Sequence, residues 1–142
     1  MVQARTGALV VAGYSGKPLA EKIGLKPGMK VYVDKDPDRG PDDLDLGGHP
    51  LSQRLPKLAD CILHFTTDRS RLEKRFPTLI DHTVTNGMVW ICWPKKASKV
   101  PTDLDENVVR DLGLELGVVD VKVCAVDEVW SGLKFVRRLK DR

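Results

Sequence analysis

The sequence predicts an α/β domain: a mostly parallel sheet flanked by helices and ending in an antiparallel hairpin. Three observations carry this. Apolar runs of strand length at residues 29–33, 59–65 and 88–93 alternate with segments of helical periodicity, and alternation implies parallel strands joined by right-handed crossovers. The last two runs, 118–126 and 133–139, are separated only by residues 127–132, a link that suits a hairpin. The 142 residues are 42% hydrophobic and 30% charged, the balance of one globular domain spanning 1–142.

The elements follow in order. Residues 8–12 form a small apolar run, read as a short strand or an ordered arm. Gly13-Tyr14-Ser15-Gly16 is a turn in which Ser15 caps a helix that has Pro18 in its first turn and Leu19, Ala20, Ile23 and Leu25 on its apolar face. Gly24 ends that helix, and Lys26-Pro27-Gly28 turns the chain into strand 29–33. From 34 to 50 prolines, glycines and acids give a loop, with a short helix over 51–58 cut by Pro56. After strand 59–65, Thr66-Thr67-Asp68 stops the run. A helix follows over 69–84 with Leu72, Phe76, Leu79, Ile80 and Val84 on one face, kinked or restarted at Pro77. Asn86-Gly87 turns the chain into strand 88–93, and Pro94 ends it. Thr102 and Asp105 resemble a capping box opening a helix over 102–116, buried through Val108, Val109, Leu112 and Leu116; Gly113 weakens its last turn and Gly117 stops it.

Composition excludes several functions. No stretch approaches ~20 consecutive apolar residues, so no membrane span is expected. Residues 1–7 lack the charged start and apolar run of a secretory leader, which points to the cytoplasm. Cys61, Cys92 and Cys124 are odd in number, widely spaced and set in apolar runs, so they read as core thiols. No C-x-x-C pair supports zinc or redox chemistry. The net charge of +3 is too small to mark a nucleic-acid footprint. The base-rich places are Lys95, Lys96 and Lys99, then Arg137, Arg138, Lys140 and Arg142, so nucleic-acid binding is not favoured.

The stretch Pro18-Leu19-Ala20-Glu21-Lys22-Ile23-Gly24-Leu25-Lys26-Pro27-Gly28-Met29-Lys30-Val31-Tyr32-Val33 resembles the helix, turn and first strand of class I methyltransferases. Residues 85–91 resemble their turn into the fifth strand, and 116–138 their closing hairpin. The resemblance spans about two thirds of the chain and implies a Rossmann-like sheet. A further motif set, Gly13-Tyr14-Ser15-Gly16-Lys17-Pro18-Leu19, Trp93-Pro94-Lys95-Lys96 and Cys124-Ala125-Val126-Asp127-Glu128-Val129-Trp130-Ser131-Gly132-Leu133-Lys134-Phe135, is similar to an uncharacterised bacterial domain-of-unknown-function family and implies no activity. The methyltransferase pattern also breaks down. A glycine-rich turn should follow the first strand, where backbone approaches the cofactor, but Asp34-Lys35-Asp36-Pro37-Asp38-Arg39-Gly40 stands there. About 25 residues separate Val33 from Ala59, too few for two further α/β units. The sheet is therefore expected to lack the half that cradles adenosine.

Ligands of open α/β sheets sit outside the carboxyl ends of strands. Polar patches there are residues 34–38, Thr66-Thr67-Asp68 and Lys95-Lys96. Ser15, Gly16 and Lys17 are candidates to hold an anion at a helix start, against plain capping. Lys95 and Lys96 are candidates to bind phosphate or carboxylate, against a solvated loop. Trp130 and Ser131, placed in the hairpin link, are candidates for ligand contact, and Trp93 and Trp130 for aromatic stacking, against core packing. His49, His64 and His82 lack metal-ligand spacing, and His64 reads as a satisfied core or face residue. Asp42, Asp43 and Asp45 lack EF-hand spacing. No catalytic residue, metal or cofactor is expected. The expected function is a non-enzymatic binding or regulatory module on a degenerate methyltransferase-like scaffold, taking a small anionic ligand or a protein partner. The alternatives are an S-adenosylmethionine-dependent methyltransferase with a site rebuilt from the 34–58 loop, and a weak nucleic-acid binder. Oligomeric state stays open.

Overall fold

The computed structural model describes residues 17–35, 40–41 and 43–142. The expected arm at 8–12, the 13–16 turn, Ser15, Gly16 and Asp42 lie outside the described residues. The described chain runs α1 (Leu19–Ile23), β1 (Val31–Lys35), β2 (Leu51–Ser52), β3 (Ala59–Phe65), α2 (Arg69–Asp81), β4 (Thr83–Pro94), α3 (Glu106–Glu115), β5 (Val118–Ala125) and β6 (Trp130–Arg137), with short 3₁₀ turns at Lys96–Ser98 and Leu139–Asp141. The strands form one sheet in the order β2-β1-β3-β4-β6-β5. β2, β1, β3 and β4 are parallel, and the β5–β6 hairpin joins antiparallel through β6. This is the expected Rossmann-like α/β sheet.

Period-2 alternation splits the sheet into two faces. On one, Ile62, Val89, Ile91, Trp93, Leu133 and Phe135 pack against Leu72, Phe76 and Leu79 of α2 and Val109 and Leu112 of α3. On the other, Cys61, Leu63, Phe65, Trp90 and Cys92 pack against Ile23 of α1, Leu46 and Trp130. Every residue of β3 except Asp60 is buried, as expected of a strand with neighbours on both edges and cover on both faces.

Several elements differ from the sequence reading. Residues 51–58 are not helical: Leu51 and Leu58 are about half exposed and share no buried face, and Leu51–Ser52 instead adds a two-residue strand to β1. α2 passes through Pro77 as one helix, and Val84 belongs to β4. Asn86-Gly87 lies inside β4, not in a turn before it. The register moves from Ala59↔Thr83 to Cys61↔Met88, so β4 carries three surplus residues across a two-residue step of β3. Glycine is required there, because a Cβ on Gly87 would lie 2.5 Å from Thr83 Cγ2 and 2.9 Å from the Asp60 carbonyl oxygen.

α3 starts after Asp105, whose carboxylate accepts the Val108 amide at 2.8 Å. Thr102 does not cap it, because its hydroxyl donates to the Thr67 carbonyl at 2.7 Å. α1 has Pro18 at its N-cap and no side-chain cap. The hairpin link contracts to 126–129, which moves Trp130, Ser131 and Gly132 into β6.

Cys61 and Cys92 are buried and Cys124 is half-buried, all as free thiols. Cys92 and Cys124 both register with Gly132 from opposite sides, two strands apart. That is roughly 9–10 Å between Cα atoms, beyond disulfide reach.

Gly113 explains a helix glycine that propensity alone disfavours. A Cβ there would lie 2.2 Å from Phe135 Cε1, on a ring that is itself buried edge-on against Phe76. Gly113→Ala is therefore expected to cost about 2 kcal/mol through overpacking, despite alanine's better helix propensity. Urea unfolding checks this, and a raised midpoint would contradict it.

Candidate functional site

Asp34 and His64 occupy the next-to-last positions of β1 and β3, and the parallel register sets them side by side. Both project from the α2 face of the sheet. His64 Nδ1 lies 2.7 Å from Asp34 Oδ2. Arg75 of α2 closes the group, donating from Nη2 to Asp34 Oδ1 at 2.8 Å and from Nε to Oδ2 at 3.1 Å. One carboxylate thus receives three N–H donors from two elements. Burial pushes the Asp34 carboxyl up, but the hydrogen bonds from His64 and Arg75, with their charges, outweigh it and hold the group well below the usual carboxylate range. Asp34 is therefore ionised and accepts only, so Nδ1 carries the proton of this contact. Tyr32, two residues earlier on the same face, has its phenol pushed up by burial and then by the Asp34 charge, so it stays protonated at neutral pH.

His64 is 2% exposed, and among the described residues its Nε2 is the buried side-chain polar atom with no hydrogen-bond partner. An unsatisfied buried group of this kind costs roughly 1–3 kcal/mol. The sequence reading of His64 as satisfied holds for one ring nitrogen and fails for the other.

These residues border a cleft of about 330 Å³ lined by Asp34, Lys35, His64, Arg71, Lys74, Arg75 and Thr78. Arg71, Lys74, Arg75 and Thr78 stand at i, i+3, i+4 and i+7, which puts them on one face of α2. Among the described residues the α2 side of the cleft is basic, with Arg71, Lys74 and Arg75 facing the Asp34 carboxylate, while the Lys35 ammonium donates to the Pro41 carbonyl at 3.2 Å. The N-terminus of α2 is not available to supply more anion affinity. Asp68 accepts the Ser70 and Arg71 amides, and Asp103 accepts the Arg69 amide at 2.8 Å.

Of the places read from sequence, the 34–38 patch reaches the cleft through Asp34, and the other described candidates fall elsewhere. Lys17 is exposed ahead of the five-residue α1. Lys95 and Lys96 follow β4 at the same carboxyl edge, beside the hairpin turn, where the Lys95 amide donates to the Val129 carbonyl at 2.8 Å. Neither lines the cleft. Trp130 is 5% exposed and packs edge-on against Phe65 with ring centroids 5.3 Å apart, and Ser131 is half-buried in β6. Trp93 lies in the core of the α2 face. Thr66-Thr67-Asp68 serves the α2 start, with Thr66 Oγ1 accepting the Asp68 amide. His49 and His82 donate to the Met29 and Pro56 carbonyls. Among the described residues no group of three His, Cys, Asp or Glu side chains is placed to hold a metal ion. No helix among them is long and apolar enough to cross a membrane.

No protein-family model and no curated protein matches the chain. Among solved structures it is similar to the magnesium protoporphyrin IX methyltransferase of Synechocystis PCC 6803 with bound SAH, at 11% identity and a TM-score of 0.46, covering 62% of this chain and 51% of that one. It is also similar to a methyltransferase from Pyrococcus furiosus, at 23% identity and a TM-score of 0.38, covering 54% of this chain and 39% of that one. The matched region thus spans about half or less of each of those proteins.

Because the Asp34 carboxyl binds its proton less readily folded than unfolded, its stabilisation is complete above the unfolded value of about 4 and is lost as pH falls below it. Asp34→Ala is expected to cost about 3 kcal/mol at neutral pH, leaving Arg75 and His64 without their acceptor, and to flatten the acid side of the stability profile. Denaturant unfolding between acid and neutral pH measures both effects, and an unchanged acid slope would contradict the assignment.

Proposed function

We propose that the chain is a non-enzymatic binding module for a small, multiply charged anion, held in the cleft between β1, β3 and α2. The basic face that α2 turns to the cleft, Arg71, Lys74 and Arg75 beside the buried Asp34 carboxylate, carries this reading. The cleft is concave, lies at the carboxyl edge of a parallel sheet and is built on a strand–helix frame, which is where small ligands of such sheets sit. The reading keeps the small-anion partner expected from sequence and moves its site from the Lys17 and Lys95-Lys96 segments to α2. On the same reading the protein works in the cytoplasm and belongs with the bacterial family that its 13–19, 93–96 and 124–135 motifs resemble.

A nucleic-acid surface at the C-terminus has less support. Arg137 donates to the Val84 and Ile80 carbonyls at 2.7 and 2.8 Å, and Arg142 Nε donates to the Arg137 carbonyl at 2.7 Å. Both guanidiniums are engaged in holding α2, β4 and the chain end.

Calorimetric titration with phosphate, sulfate and citrate tests the proposal, with S-adenosylhomocysteine as the competing ligand. At least one of the three anions is expected to bind with an affinity that falls as salt rises. The reversal Lys74→Glu on the exposed side of α2 is expected to weaken that binding at least tenfold, about 1.4 kcal/mol, with the melting temperature unchanged. Binding indifferent to this reversal would remove the cleft from consideration. S-adenosylhomocysteine binding with no anion binding would transfer the site to an adenosyl cofactor.

A further inference from the structure

We infer that the groove between α2 and α3, with the basic turn beside it, is a self-association surface: residues 138–142 of one copy seat Leu139 in the groove of a second copy and receive the same contact in return. The inference is independent of the anion cleft, which α2 lines with a different flank. The groove, of about 160 Å³, is lined by Glu73, Phe76, Leu112, Glu115 and Leu116. Its apolar part is Phe76 and Leu112, which belong to the buried layer of the α2 face, and Leu116, which is 39% exposed. Its rim is acidic, with one carboxylate from each helix. Glu73 meets Arg69 at 3.8 Å in an exposed pair of the kind that water screens. Asp111, one turn before Glu115 on α3, is exposed and adds to the same charge.

The group that fits this groove stands next to it. β6 ends at Arg137 opposite Val118, the first residue of β5, which follows directly from α3. There the chain makes the 3₁₀ turn Leu139–Asp141, in which Leu139 is 80% exposed. Arg138 donates from Nη2 to the Leu114 carbonyl at 3.5 Å, which holds the turn beside the last turn of α3. Arg142 donates from Nε to the Arg137 carbonyl at 2.7 Å and closes the turn on itself. Leu139 is thus held close to the groove of its own chain without filling it. Its charged neighbours are Arg138, Lys140, Asp141 and Arg142, a basic set. An apolar side chain among cations matches an apolar groove between carboxylates in polarity and in charge. Because the two lie side by side on one molecule, a two-fold axis lets each copy give and receive the contact at once.

The free edge of the sheet is a poorer surface for a second copy. Val121 and Val123 of β5 are 53% and 51% exposed, but the bulge between Asp120 and Lys122 breaks the ladder there, and Lys122 stands on the edge. Bulges and edge lysines both oppose strand-to-strand pairing. One leucine anchor per copy is a small contact, so the dimer is expected to be weak, dissociating in the micromolar range or above.

Sedimentation equilibrium of the full chain over a range of concentrations tests this. Wild type is expected to show a monomer–dimer equilibrium. Leu139→Asp, at an exposed position, is expected to weaken association at least tenfold with the melting temperature unchanged. The single reversals Glu115→Lys and Lys140→Glu are each expected to weaken it, and the two combined in one chain to restore it, since each copy then offers a basic rim to an acidic turn. Val123→Lys is expected to leave it unchanged. A monomer at every concentration would overturn the second copy as occupant and leave the groove to a basic segment of another protein. A dimer indifferent to Leu139→Asp, or one broken by Val123→Lys alone, would overturn the surface. A combined reversal as weak as the single ones would overturn the pairing of rim and turn.

Discussion

One carboxylate organises the functional edge of this molecule. Asp34 accepts from His64 and twice from Arg75, so a single side chain joins β1, β3 and α2 at the place where the parallel strands end. Its low dielectric setting makes each of these bonds matter more than a surface pair would. The geometry follows from simple constraints. Parallel pairing in register puts position 34 beside position 64, the strand period aims both toward α2, and the helix period returns Arg75 to meet them. Arg75 is also part of the basic stripe, so the ion pair that fixes the helix also sets where its other cations stand.

The rest of the fold serves to hold that edge in place. The α2 face is a continuous apolar layer from Ile62 to Phe135, with Gly113 absent a side chain so that Phe135 can approach α3. The opposite face is sealed by α1, Leu46 and Trp130 around Trp90, whose indole N–H donates to the Ile23 carbonyl at 3.3 Å. The segment 43–50, punctuated by glycine and proline, is less loose than its composition suggests. Leu46 is buried, and His49 ties the segment to Met29. A parallel sheet covered on both faces leaves its carboxyl edge as the open surface where polar side chains converge.

How much of this the sequence disclosed depended on whether the signal was local. Residues 59–65 read correctly as a strand because an apolar run bounded by polar residues has few other solutions. The helix expected over 51–58 is absent, since pairing of two residues with β1 leaves no periodic trace in the sequence. Residues 127–132 read as the hairpin link because they separate two apolar runs, whereas Trp130, Ser131 and Gly132 lie in β6, with Gly132 facing Trp90 and Cys92. The cleft was half legible. Asp34 stood in the polar patch after the first strand, His64 read as a satisfied core or face residue, and the i, i+3, i+4, i+7 spacing of Arg71, Lys74, Arg75 and Thr78 lies in the sequence as one basic helix face. What joins them is the β1–β3 register and the docking of α2, and both are long-range facts that no local pattern encodes. Local motifs drew attention instead to Lys95-Lys96, which sit at the same edge but beside the hairpin turn.

The tautomer of His64 tests the account most directly. A long-range proton–nitrogen correlation spectrum of the imidazoles, with His49 and His82 as internal references, reports which ring nitrogen carries the proton. The account predicts that at neutral pH without ligand His64 holds its proton on Nδ1, toward the ionised Asp34, and leaves Nε2 as a bare acceptor. An Nε2–H tautomer, or a His64 that matches His49 in its response to Asp34→Asn, would contradict it, because the Asp34–His64–Arg75 cluster would then not exist as described.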